Sequence, residues 1–113
     1  MSAAAMPEDV SVSVESVATN EFAVRGELSF VTAARAHAAG CALLQRGAGS
    51  EMRIDCAGIE VADSAGLAVL LDWLAVASRR GMQLQFVALP LPLRQLAHIG
   101  GVSELLGVSA AQG

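Results

Sequence analysis

From Val10 onwards valines and polar residues take turns: Val10, Val12 and Val14 alternate with Ser11, Ser13 and Glu15. A period of two sends alternate side chains to opposite faces, so residues 10–17 are expected to form a strand with one wet face. Thr19 and Asn20 offer a turn, after which Phe22 and Val24 resume the alternation against Glu21, Ala23 and Arg25. Residues 10–26 therefore read as a β-hairpin, with Gly26 ending or bulging its second strand.

The period then changes. Residues 32–46 are rich in alanine and place Ala36, Ala39 or Gly40, and Leu43 at helical spacing, with residues 47–50 as a flexible exit. The small side chains and Gly40 let this first helix lie close to a sheet. Residues 52–57 read as a buried strand, and residues 58–63 connect it to the strongest helical signal, residues 64–80. Ser64 is the expected N-cap of that second helix, Arg79 and Arg80 fill its last turn, and Gly81 caps its end. Residues 83–89 form a further strand with Leu84 and Phe86 inward. Pro90 stops it, Pro92 opens a third helix through Ile99, and Gly100 and Gly101 close that helix. A last turn or short helix is expected over residues 103–106.

The order β, β, α, β, α, β, α requires crossovers and predicts an α/β fold. Its mixed sheet has four to five strands, with helices mainly on one side and an N-terminal hairpin. One domain over residues 10–108 is expected, with a loose arm at 1–9 and a loose tail at 109–113.

Composition narrows the function. The hydrophobic fraction is 54% and only 16% of the 113 residues are charged, which excludes disorder and leaves little charge for the surface. With a net charge of −4 and no Lys/Arg block, nothing follows a phosphate backbone, so no nucleic acid is expected. The first ten residues include Glu8 and Asp9 and no apolar run, unlike a signal peptide. The longest apolar stretch, residues 65–77, is broken by Asp72 and falls short of the roughly 20 residues that cross a bilayer. A cytoplasmic protein with no membrane span is expected. Cys41 and Cys56 are too far apart for a C-x-x-C site and read as small core residues. No phosphate-binding G-x-x-x-x-G-K-S/T loop and no metal-ligand cluster occurs, so neither cofactor nor enzyme activity is expected.

The informative stretch lies where the central strand meets the second helix: Val61-Ala62-Asp63-Ser64-Ala65-Gly66-Leu67-Ala68. A helix start exposes free N–H groups. Ser64 reads either as a plain N-cap or as a switch, since a phosphate there would add close to two negative charges beside Asp63. At about 100° per residue, Leu67, Leu70, Leu74 and Ala77 form one stripe, flanked by Leu71, that faces the sheet. The opposite side carries Ala65, Ala68, Val69, Asp72, Ala75, Val76 and Arg79, where a solvated helix would be mostly charged. Either a neighbouring part of the chain covers it, or it is a docking face, with Trp73 at its border as a possible anchor and Asp72 and Arg79 setting orientation.

These residues also carry a resemblance. Residues 53–101 resemble STAS domains (sulphate transporter and anti-sigma-factor antagonist), in which a strand, here Ile54-Asp55-Cys56-Ala57-Gly58, leads to a D-S/T-x-G-L helix start, here Asp63-Ser64-Ala65-Gly66-Leu67. Within that superfamily the segment Val69-Leu70-Leu71-Asp72-Trp73-Leu74, and Leu96-Ala97 ahead of Gly101-Val102, look most like the MlaB-like STAS subunits of Mla phospholipid-transport ABC complexes. The resemblance implies a non-enzymatic cytoplasmic subunit, held at the inner membrane by docking onto the transporter's ATPase and, with it, the permease. It also implies docking at the start of the second helix, around Ser64, which together with the outer face read above gives the expected partner-binding set Asp63, Ser64, Ala65, Gly66, Ala68, Val69, Asp72, Trp73, Val76 and Arg79. The alternative it implies is an anti-sigma-factor antagonist whose Ser64 is phosphorylated by an anti-sigma kinase. Self-association through the apolar face stays open.

Overall fold

Seven elements follow in the predicted order: β1 (Val12–Ala18), β2 (Glu21–Leu28), α1 (Ala33–Arg46), β3 (Glu51–Ala62), α2 (Ser64–Arg79), β4 (Gln83–Val87) and α3 (Leu91–Ile99). The computed structural model describes residues 10–107. The arm expected at residues 1–9 and the tail at 109–113 lie outside the described residues.

The strands lie side by side in chain order. β1 runs antiparallel to β2, and the β2–β3 and β3–β4 pairs are parallel, joined through α1 and α2. Register sets the two faces. Phe22 pairs with Ile54 and Ile54 with Phe86, an apolar row across the sheet. One residue on, Glu15 pairs with Ala23, Ala23 with Asp55 and Asp55 with Val87, and these side chains point the other way. The helices pack over the apolar face: α1 on β1 and β2, α2 on β3 and β4, and α3 against α2 and β3. Val24, Leu28, Leu44, Ile54, Cys56, Leu70 and Leu93 are fully enclosed between the layers. Burial, with Asp55 next to it, pushes the Cys56 thiol up to about 12, so it stays protonated and inert. Cys41 departs from the expectation of a core residue. It is only half-buried, on the α1 surface, with its sulfur 3.6 Å from His37 Nε2.

β3 is longer than its periodicity implies. Residues 58–63 were expected as a connection, yet the strand runs through Gly58 to Ala62, because β2 keeps pairing with it as far as Leu28 opposite Ala62. β4 is shorter than residues 83–89 and ends at Val87.

The largest departure concerns Trp73, which is fully buried. Its ring meets Phe22 edge-on, with centroids 5.4 Å apart, and its indole N–H donates to the His37 carbonyl at 3.2 Å. Gly40 makes room: a Cβ there would lie 2.2 Å from the indole. The small residues of α1 therefore admit α2, beyond merely approaching the sheet. α2 closes with Gly81 N–H on the Ser78 carbonyl and Met82 N–H on the Ala77 carbonyl, the paired bonds of a Schellman motif, with Arg80 as C-cap.

Candidate docking site

β3 hands over to α2 at Asp63. Its Oδ1 accepts from the N–H of Ala65 at 2.9 Å and of Gly66 at 3.1 Å. Asp63 is thus the N-cap, correcting the assignment of that role to Ser64, which is the first residue of the helix. A carboxylate suits the post, because it meets two free amides at the positive end of the helix dipole. The second oxygen, Oδ2, accepts from Phe30 N–H at 3.0 Å, across 33 residues of sequence. Desolvation raises the pKa of Asp63, but the N–H groups of Phe30, Gly66, Ala65 and Asp63 itself outweigh it and hold the carboxyl below its ordinary range.

Gly66 shows why this helix start tolerates so little. A Cβ there would stand 2.1 Å from the Leu28 carbonyl oxygen, so only glycine lets α2 begin this close to the end of β2. Ser64, two residues earlier, is exposed.

The predicted docking residues separate by depth. Ser64, Ala68, Asp72 and Arg79 are exposed, as is Ala75, and they follow one another down one side of α2. Asp63, Ala65 and Val76 are partly buried. Gly66, Val69 and Trp73 are buried, so they do not belong to an outer face. The reason is geometric: Val69, Trp73 and Val76 recur at helical spacing as a second apolar stripe, beside which α1 packs. Asp72 is engaged within the chain, its Oδ2 lying 3.5 Å from His37 Nε2, with both side chains well exposed.

Two residues at this end carry no signal in the strand or helix periodicity. Phe30 and Val31, in the loop between β2 and α1, are 81% and 65% exposed. The loop is held from within. Thr32 Oγ1 donates to the Glu27 carbonyl at 2.7 Å and accepts from Ser29 N–H at 3.0 Å. Ser29 Oγ donates to Glu27 Oε2 at 2.7 Å and accepts from Val31 N–H at 3.2 Å. The spacing Ser29-Phe30-Val31-Thr32, hydroxyls on either side of an apolar pair, was the available signal.

Residues 9–107 match the protein family described as "Mlab, STAS domain". No curated protein matches the chain. Among solved structures, an anti-sigma factor antagonist from Mycobacterium paratuberculosis aligns with a TM-score of 0.69 at 22% identity, covering 93% of this chain and 89% of that one. The anti-sigma factor antagonist SpoIIAA in its unphosphorylated form aligns with a TM-score of 0.67 at 14% identity, covering 90% of each chain. The Bacillus cell fate determinant SpoIIAA in its phosphorylated form gives 0.64 at 14% identity, covering 90% of this chain and 94% of that one. At such identities the likeness to the three structures is one of fold.

Proposed function

The chain belongs to the MlaB-type STAS domain family, and on that footing we propose that it is a non-enzymatic accessory subunit docking onto the cytoplasmic ATPase of an Mla-type phospholipid-transport ABC complex. It supports the assembly and activity of that complex and reaches the inner membrane through it. The observation that carries this reading is the exposed run Ser64, Ala68, Asp72, Ala75 and Arg79 on α2. Ala68 and Ala75 face water on either side of Asp72 and give a shallow surface that a second protein can approach closely, with Asp72 and Arg79 fixing its orientation. No helix among the described residues is long and apolar enough to cross a membrane, so attachment through a partner is the consistent arrangement.

The test is co-purification with the ATPase and permease. Ser64→Glu and Ala68→Arg are expected to weaken docking by about tenfold or more while leaving the fold intact, because a charge or a long side chain then stands in the contact. Association unchanged by both substitutions would remove this surface.

The solved structures favour a second reading, since the three described above are an anti-sigma factor antagonist from Mycobacterium paratuberculosis and two forms of SpoIIAA, one of them phosphorylated. As an antagonist, this chain would take phosphate on Ser64 from an anti-sigma kinase supplied with ATP. Mass spectrometry of the Ser64 peptide after such an incubation decides between the two.

A further inference from the structure

An 81% exposed phenylalanine is costly to keep in water, and Phe30 is kept there on a loop with little freedom. Glu27, Ser29 and Thr32 brace the loop from inside, and Asp63 ties it to α2 from outside. One carboxylate thus fixes two things together: Oδ1 caps the helix that carries Ser64, and Oδ2 holds the amide of Phe30. A loop whose backbone is held in place before contact gives up little entropy on binding, and buried aromatics are where interface energy concentrates.

Resting on the docking role proposed above, we infer that Phe30, with Val31, is the apolar anchor of the docking surface, and that Asp63 is the positioning residue that latches this anchor beside Ser64. The occupant is a protein, the transporter ATPase, offering an apolar cleft with a basic rim. Charge decides against lipid. Residues 27–32 hold Glu27 and no Lys or Arg, the Asp63 carboxylate accepts from the Phe30 amide, and a single basic residue, Arg35, follows in the first turn of α1, so the acidic groups outnumber it. An anionic bilayer would repel such a tip, whereas a cleft rimmed by lysine or arginine would attract it.

The latch and the cap can be separated chemically. Asp63→Asn keeps an oxygen for the amides of Ala65 and Gly66, since asparagine caps as well as aspartate. It replaces Oδ2 with an NH₂ donor facing the Phe30 N–H, so the loop tether is lost together with the carboxylate's charge, while the two capping hydrogen bonds are kept. The experiment measures affinity of the purified full chain for the purified cognate ATPase, with thermal melting of each variant alongside.

Phe30→Ala and Asp63→Asn should each weaken binding by about tenfold or more, with melting close to that of the original chain. The double variant should bind no worse than Phe30→Ala alone, because the latch acts through the anchor. If the original chain binds and Ala68→Arg weakens it while Phe30→Ala does not, the anchor is overturned and the docking role stands. If Phe30→Ala weakens binding but Asp63→Asn does not, the latch is overturned. If the original chain does not bind the ATPase, both the docking role and the anchor fall. Phe30-dependent binding to vesicles containing phosphatidylglycerol would overturn the choice of a protein occupant.

Discussion

Asp63 has more bonds than its place in the sequence advertises. A D-S pair before a helix offers two capping residues, and spacing alone favours the hydroxyl that opens the apolar period. Chain geometry gives the cap to the carboxylate, because only the longer, two-oxygen group reaches both the helix amides and Phe30. That bond to Phe30 is invisible in sequence, as it joins residues brought together by the β2–β3 pairing. It has a pH signature. The folded state holds the Asp63 carboxyl below its unfolded value, so the unfolded chain binds the proton more readily and stability rises with pH through this range. Asp63→Ala should cost about 1 kcal/mol at neutral pH by loss of the cap. The difference between the two proteins should shrink as pH falls from the ordinary aspartate range, about 4, through the lower range in which the folded carboxyl takes up its proton. Urea unfolding of both from pH 7 into the acid range measures it.

At the scale of elements, α2 shows what a helical wheel can and cannot say. The stripe of Leu67, Leu70, Leu74 and Ala77 was legible: Leu67, Leu70 and Ala77 are buried as expected, and Leu74 is partly buried. The other side looked like one continuous surface, and half of it is a seam with α1, because a wheel records which residues share a side but not how many neighbours the helix has. Trp73 is the centre of that seam. Trp73→Ala should destabilise the protein by about 3–5 kcal/mol, since it empties the space between Phe22 and Gly40 and removes the indole hydrogen bond to the His37 carbonyl. Ala68→Arg, on the exposed side, should stay within about 0.5 kcal/mol of the original chain. Chemical unfolding of the two variants makes the contrast. The length of β3 was likewise beyond local reading. Gly58 and Glu60 look like loop residues, but pairing with β2 overrides that preference, and Gly58 leaves room for the stem of Arg25.

For the whole molecule, alternation, the change of period and the glycine and proline stops were enough to foresee a mixed sheet led by a hairpin and covered by helices. They succeed because a sheet with one enclosed face must write that fact into every second residue. The sidedness of a helix packed against both a sheet and another helix is written less sharply. The chain has one tryptophan and no tyrosine, and the tryptophan is the residue wedged between α1 and α2. Its ultraviolet emission is therefore an uncontaminated gauge of whether those helices remain together. A partner that settles on the outer alanines should leave the colour of that emission unchanged, whereas one that prises the helices apart should redden it as water reaches the indole.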